Sequence, residues 1–291
     1  MRISGFTFIR NAIKYDYPVV ESIRSILPLC DEVVVAVGNS DDGTRELVGA
    51  IDPLRIRIID TIWDESIRKG GAVLAAETNK ALAAVSPDSD WAFYIQADEV
   101  VHEVCLEQIW QGMEQWKENP MVEGLLLNFK HFWGSYDWVG NSRKWYRREI
   151  RVIRPHRDIQ SYKDAQGFRK GDQKIRVKPL DAWIYHYGWV KSPLTQQAKQ
   201  QEFHKFWHDK TWIEEHVSNM AEFDYTIINS LSRFTGEHPA IIHPRIKQKN
   251  WIFEPEIAAK PLSLRHQFLD KIETLTGWRI GEYRNFKIVK G

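Results

Sequence analysis

Two hydrophobic spacings alternate along the N-terminal third of the chain. The unbroken apolar run at Trp91 to Ile95 predicts a strand buried on both faces of a sheet, Glu32 to Val37 reads as a second buried strand, and Ile3 to Ile9 as the first strand. Between them lie helical spacings: Tyr17 to Leu29, with Val20, Ile23, Ile26 and Leu27 on one face, then Thr44 to Ile51, then Ala72 to Leu82. Arg55 to Asp60 alternates as a further strand. This order predicts a largely parallel, right-handed α/β layer.

Beyond it the pattern changes. Val104 to Lys117 repeats as a helix and Val122 to Phe132 as a long strand, followed by an aromatic loop, His131 to Trp138. Glu149 to Arg154 alternates, residues 155–174 are polar and basic and read as a mobile loop, and Ala182 to Trp189 is strand-like. Helical spacing dominates from Leu194 to Phe234. Pro239, Pro244 and Pro255 then punctuate a less regular stretch before a last helix, Leu262 to Leu275, and a tail with strand-like pieces. The expected division is an α/β domain over residues 1–190 and a mainly helical extension over 191–291 packed on it.

The chemistry gathers where the buried runs end. Trp91 to Ile95 stops abruptly in Gln96-Ala97-Asp98-Glu99. Carboxylates at that point are costly without partners, and ligands bind at the C-terminal edge of an open α/β sheet. A hard divalent cation with a phosphorylated ligand meets both conditions. An acidic helix N-terminus accounts for the same residues taken alone. The run ending at Val37 likewise leads into Gly38-Asn39-Ser40-Asp41-Asp42-Gly43-Thr44, so neighbouring strands would turn both acidic loops toward one crevice. Gly70 and Gly71 precede a helix whose free N–H groups suit an anion.

Phe6-Thr7-Phe8-Ile9-Arg10-Asn11, then Asn39 to Thr44, then Gly71 with Asn79 and Ala81-Leu82, then Gln96 to Glu99 follow in an order that resembles a family 2 glycosyltransferase. The likeness covers roughly the first half of the chain, more weakly to residue 190. It implies a GT-A fold, a Rossmann-like, mostly parallel sheet sandwiched by helices. It also implies a metal-dependent, inverting transfer from a nucleotide-diphosphate sugar, here a uridine-diphosphate sugar, to a glycan or lipid-linked acceptor, with Mn2+ or Mg2+ as cofactor. The family's Asp-x-Asp motif turns its first acid to the nucleotide and its last to the metal. Gln96 stands at the first position here, so Asp98 is left as the metal ligand and the Gln96 donor contact is altered.

The resemblance further implies His186 as a second metal ligand, Arg10, Asn11, Asp41 and Asp42 beside the nucleotide, and Asp164 as the acceptor-side base. Asp137 and Glu149 compete for the role of base. Two of these have plainer readings: His186 as a core histidine between aromatics, and Asp41 and Asp42 as an Asp-Asp-Gly turn. Arg68 and Lys69 are phosphate or base contacts, or a solvated helix end. Trp133, Tyr136 and Trp138 suit stacking on an acceptor sugar, whereas most of the other tryptophans, such as Trp110, Trp116, Trp207 and Trp212, fall on helical spacings and suit a core.

Composition narrows the class. The apolar fraction of 43% and charged fraction of 27% are those of a globular chain with a substantial core. The net charge of +1 argues against a dedicated nucleic-acid binder, yet it is unevenly spread, −10 over residues 1–142 and +9 over 143–179. A basic block in an acidic protein suits a phosphate-bearing partner, or simply a solvated loop. Two cysteines, Cys30 and Cys105, fit buried thiols of a reducing compartment. No apolar run opens the chain or reaches the roughly 20 residues of a membrane span. The expected location is cytoplasmic, and a peripheral contact with the inner membrane surface is compatible with a lipid-linked acceptor. A catalytically inactive nucleotide- or glycan-binding protein of the same fold is the alternative that Gln96 keeps open.

Overall fold

The computed structural model describes residues 1–64, 66–67, 69–155, 158–208, 210–216, 220–228, 230–255 and 264–290. The N-terminal alternation appears as β1 (Ile3–Ile9), α1 (Val19–Ile26), β2 (Glu32–Gly38), α2 (Thr44–Gly49), β3 (Ile56–Thr61), α3 (Ala72–Ala83) and β4 (Trp91–Tyr94). Next come β5 (Glu99–Val101), α4 (Leu106–Trp116), β6 (Gly124–Trp133), β7 (Ser135–Gly140) and β8 (Arg148–Ile153). Three short strands, β9 (Ile159–Tyr162), β10 (Gly167–Lys170) and β11 (Gln173–Lys174), precede the long β12 (Arg176–Trp189). The chain ends through α5 (Pro193–Phe203), α6 (Lys210–His216), β13 (Leu231–Arg233), α7 (His243–Gln248), α8 (Leu264–Thr276) and β14 (Lys287–Ile288).

The main sheet runs β13-β7-β6-β8-β4-β1-β2-β3, with β12 paired to β5, β6 and β14. Strands β3, β2, β1 and β4 are mutually parallel, and β8 enters antiparallel between β4 and β6. A parallel nucleotide-binding half continued through one antiparallel strand is the GT-A arrangement, so the expected fold is the observed one. Register fixes what this does for the site. Ile9 pairs with Val37, and Phe6 with both Val34 and Tyr94. The C-terminal ends of the parallel strands β1, β2 and β4 therefore lie toward one edge of the sheet, where Arg10, Asn39 and Gln96 emerge.

Val33 to Val37 and Trp91 to Ile95 are wholly buried, because helices cover both faces. One core lies on the α1 and α4 side, around Ile23, Val35, Phe93 and Leu125. The other lies on the α3 side, around Phe6, Leu82, Tyr94 and Phe168. Cys30 and Cys105 are buried and unpaired.

Three expectations need correction. Residues 155–174 are not a loop throughout: β9, β10 and β11 form a small antiparallel sheet. Its anchor is Phe168, fully buried and edge-on to Tyr94 at 5.3 Å, apolar burial that the surrounding charges disguise. The aromatic stretch 131–138 is the end of β6, a tight turn at Gly134 with φ +70°, and the start of β7. Among the described residues the helical spacing after Leu194 yields α5, a short turn of helix at His204–Phe206 and α6 before β13, which pairs with β7 and so extends the main sheet.

Candidate functional site

The strand tips open into a crevice of about 500 Å3. Phe8 to Asn11, Gln96 to Asp98, Tyr146, Asp164, Gln166, His186 and Gly188 line it. Lys199, Phe203, His204, Phe206 and Trp207, from α5 and the turn after it, complete the lining.

The loops after β1 and β2 are stitched together. Asn11, held at φ +53°, accepts from the Asp41 N–H through Oδ1 at 3.0 Å, while its own N–H donates to Ser40 Oγ at 3.0 Å. The Lys14 N–H donates to Asp42 Oδ2 at 2.7 Å, and Thr44 donates its N–H to Asp42 Oδ1 at 3.1 Å. Partial burial pushes the Asp42 carboxyl up, but these donors outweigh it and hold the group below its ordinary value. Asp42 is thus occupied in shaping the loop. Asp41 is exposed beside Lys14 at 3.3 Å. Neither lines the crevice, whereas Arg10 and Asn11 do, with the Arg10 guanidinium 5.6 Å from the Trp63 ring.

Adjacent acids after β4 have opposite fates. Glu99 is fully buried in a bidentate pair with Arg151, at 2.5 and 2.8 Å. Arg151 also donates to the Gln166 carbonyl at 3.0 Å, tying β8 to the turn that carries Asp164. Gln96 braces the same turn, since its Nε2 donates to the Ala165 carbonyl at 3.2 Å and to Tyr94 Oη at 3.3 Å. An ionised carboxylate at position 96 could not donate to that carbonyl, so the amide suits this contact. Lys163 at φ +54° and Ala165 at φ +62° flank Asp164, backbone strain of a kind that persists only where its surroundings impose it. Burial raises the Asp164 carboxyl above its ordinary value.

Asp98 faces the crevice. Its Oδ2 lies 3.4 Å from Lys199 Nζ and its Oδ1 3.7 Å from His186 Nε2. Burial pushes its carboxyl up, yet Lys199 above all outweighs that and holds the group below the usual range, so it is ionised. Lys199 also donates to the Gly188 carbonyl at 2.9 Å, and the Tyr17 ring lies 4.7 Å from Lys199 and 4.6 Å from Lys191. Burial lowers the His186 imidazole, with Asp98 pulling the other way. The space between Asp98 and His186 exists because residue 188 is glycine. A Cβ there would lie 2.7 Å from Asp98 Oδ2 and 2.7 Å from His186 Nε2. A carboxylate and an imidazole nitrogen converging on such a hollow suit a divalent cation. Among the described residues no third His, Cys, Asp or Glu joins them.

Of the residues singled out from the sequence, Arg10, Asn11, Gln96, Asp98, Asp164 and His186 meet in the crevice. Glu149 does not line it. It is buried behind Gln166, whose Nε2 donates to Glu149 Oε1 at 2.6 Å, and burial raises its carboxyl to about 7. Asp137 is exposed on β7 with Ser135 Oγ donating to it at 3.0 Å, away from the crevice. Trp133, Tyr136 and Trp138 are buried in aromatic clusters against the C-terminal segment. Trp133 stacks on Trp189 at 4.7 Å and donates to the Tyr225 carbonyl at 2.9 Å, so none of the three presents a free face to a sugar. Arg68 lies outside the described residues. Lys69 opens the short turn Lys69–Gly71, and its side chain is likewise outside them. Sequence reasoning missed Lys199, Tyr146, Trp207 and His131. Only long-range contacts bring these to the site, and the one local signal was Gly188, two residues after His186.

No family model and no curated protein matches the sequence. Among solved structures, TarS of S. aureus (residues 1–349) is similar at 16% identity and a TM-score of 0.42, over 70% of this chain and 64% of that one. Glucosyl-3-phosphoglycerate synthase from Mycobacterium tuberculosis, solved with Mn2+, uridine diphosphate and phosphoglyceric acid, is similar at 20% identity and a TM-score of 0.30, over 45% and 43%. 4-Diphosphocytidyl-2C-methyl-D-erythritol synthase from Anaerococcus prevotii is similar at 11% identity and a TM-score of 0.39, over 70% and 95%. The chain thus spans less than two thirds of the first two of these. The GT-A arrangement itself is read from strand order and register.

Proposed function

We propose that the protein is a metal-dependent, inverting glycosyltransferase of the family 2 type, moving a sugar from a nucleotide diphosphate, preferably uridine diphosphate, to a glycan or lipid-linked hydroxyl. The observation that carries this reading is the convergence of Asp98 and His186 on the hollow beside Gly188, with Asp164 lining the same crevice. Asp98 and His186 would hold Mn2+ or Mg2+, which when bound supplies Lewis-acid stabilisation of the leaving diphosphate.

The other work falls to the chain. Arg10 and Lys199 bring positive charge to the diphosphate. Asn11 and the Phe8 to Arg10 backbone border the nucleotide. Asp164 takes the proton of the acceptor hydroxyl as its oxygen bonds to the anomeric carbon, while the bond from that carbon to the diphosphate oxygen breaks and its electron pair leaves with the diphosphate. Burial of Asp164 strengthens it as a base, because the raised carboxyl binds a proton more readily. Among the described residues no helix is long and apolar enough to cross a membrane.

Thermal unfolding with uridine diphosphate, with and without Mn2+, tests the reading. Stabilisation that requires both ligands and disappears in Asp98→Asn supports it. Equal stabilisation without Mn2+ removes the metal, and no nucleotide response removes the donor. The contact of Lys199 with Asp98 at 3.4 Å favours a second reading, a metal-free nucleotide-binding protein without turnover. That protein would bind uridine diphosphate without Mn2+ and release none from a uridine-diphosphate sugar.

A further inference from the structure

We propose that His131 is a positioning residue that fixes His186 in the tautomer able to hold a divalent ion. The proposal rests on the metal reading above and assigns a role to a side chain that does not line the crevice. His131 on β6 sits directly opposite His186 on β12 in the parallel register. It is 2% exposed, stacked on Trp145 at 4.9 Å and edge-on to Tyr146 at 4.4 Å. Its ring lies among Phe129, Trp145 and Tyr146, and its two nitrogens meet the Tyr146 carbonyl and His186 Nδ1 with no carboxylate against either, a setting for a neutral imidazole.

Hydrogen-bond bookkeeping then leaves one arrangement. His131 Nε2 is 2.8 Å from the Tyr146 carbonyl oxygen. A carbonyl only accepts, so Nε2 carries the single hydrogen of the neutral ring and Nδ1 is bare. The two Nδ1 atoms lie 3.1 Å apart, a hydrogen-bond distance that two bare nitrogens would not hold. His186 Nδ1 therefore carries a hydrogen and donates it, which leaves His186 Nε2 bare. That nitrogen is the one aimed at Asp98, and 3.7 Å is too long for an N–H donating to the carboxylate. With the opposite tautomer, His186 could donate to Asp98 and close the hollow with a hydrogen bond. His131 removes that option. A ligating histidine usually has its other nitrogen fixed by a carboxylate or carbonyl; here the Tyr146 carbonyl acts through one intervening ring.

The test uses full-length protein labelled with 15N-histidine and free of metal. Long-range proton–nitrogen correlation is expected to show His186 protonated at Nδ1, with a nitrogen–nitrogen coupling across the hydrogen bond to His131. An Nε2-protonated His186, or no coupling, overturns the proposal, and this decision needs no variant to fold. In His131→Phe, His186 should switch to the Nε2–H form, and Mn2+ affinity, read from free Mn2+ by electron paramagnetic resonance, should weaken about 10- to 100-fold. His131→Asn, whose carbonyl can accept from His186 Nδ1, should restore both the tautomer and most of the affinity. An unchanged His186 tautomer in His131→Phe also overturns the proposal. A switch seen while wild type binds no Mn2+ upholds the positioning role and defeats the metal reading instead.

Discussion

His186 and His238 stand in two aromatic-rich regions of similar composition, and only one of them has a nitrogen left to use. On the far side of β12, His238 accepts from Tyr187 Oη at 2.9 Å through Nδ1 and donates from Nε2 to the Tyr136 carbonyl at 3.1 Å. Phe132 stacks on Tyr187 at 4.9 Å beside it, and burial pulls the imidazole down to about 4. Both nitrogens are engaged. On the crevice side, His186 has one nitrogen engaged by His131, while the other faces a carboxylate across a gap kept open by a missing Cβ. Residue type does not separate the two regions. Unspent bonding capacity beside open space does.

The comparison breaks most decisively at Asp98. Asp98→Asn should cut release of uridine diphosphate from a uridine-diphosphate sugar by about a thousandfold, the several kcal/mol that a metal supplies to a leaving group. Turnover within tenfold of wild type would place the chemistry elsewhere. On the far side the same severity should appear as lost stability. Trp133→Ala is expected to cost about 3–5 kcal/mol in denaturant unfolding, with the acceptor KM of the folded protein unchanged; a specific rise in that KM would return the aromatic hairpin to the site.

Glu149 sharpens the boundary between the regions through pH. Its carboxyl sits at about 7 when folded, against an ordinary 4.5. Between those values the unfolded chain is ionised there while the folded chain keeps its proton, so stability falls as pH rises through that window. The total loss is about 3 kcal/mol, and the curve is flat from this group above it. Glu149→Gln should erase that decline when unfolding is compared at pH 5 and pH 8. The smallest effect belongs to Gly188→Ala, which should weaken Mn2+ binding about 10- to 100-fold by crowding Asp98 and His186, while leaving the affinity for nucleotide without metal unchanged.

Strands whose faces are both covered were legible because every residue must be apolar, as at Val33 to Val37 and Trp91 to Ile95. Asp98 was legible as a charge placed where such a run ends. The small sheet at 159–174 was not, since its buried positions, Ile159, Ser161, Ala165 and Phe168, are scattered among polar and charged neighbours that mask the alternation. Trp133, Tyr136 and Trp138 misled for the converse reason: an aromatic string serves a sugar or a core equally well, and the C-terminal segment that buries it is remote in sequence. Lys199 and His131 carry no local mark at all. Their roles arise from contacts 101 and 55 residues away.

The two left-handed residues at 163 and 165 have an evolutionary corollary. A side chain costs about 1–2 kcal/mol in that conformation and glycine avoids the cost, so Lys163→Gly and Ala165→Gly should be among the few glycine substitutions that selection for folding welcomes. A saturation library selected for folding would then show two positions that accept glycine on either side of Asp164. That imprint would mark the turn for anyone reading the survivors without a structure.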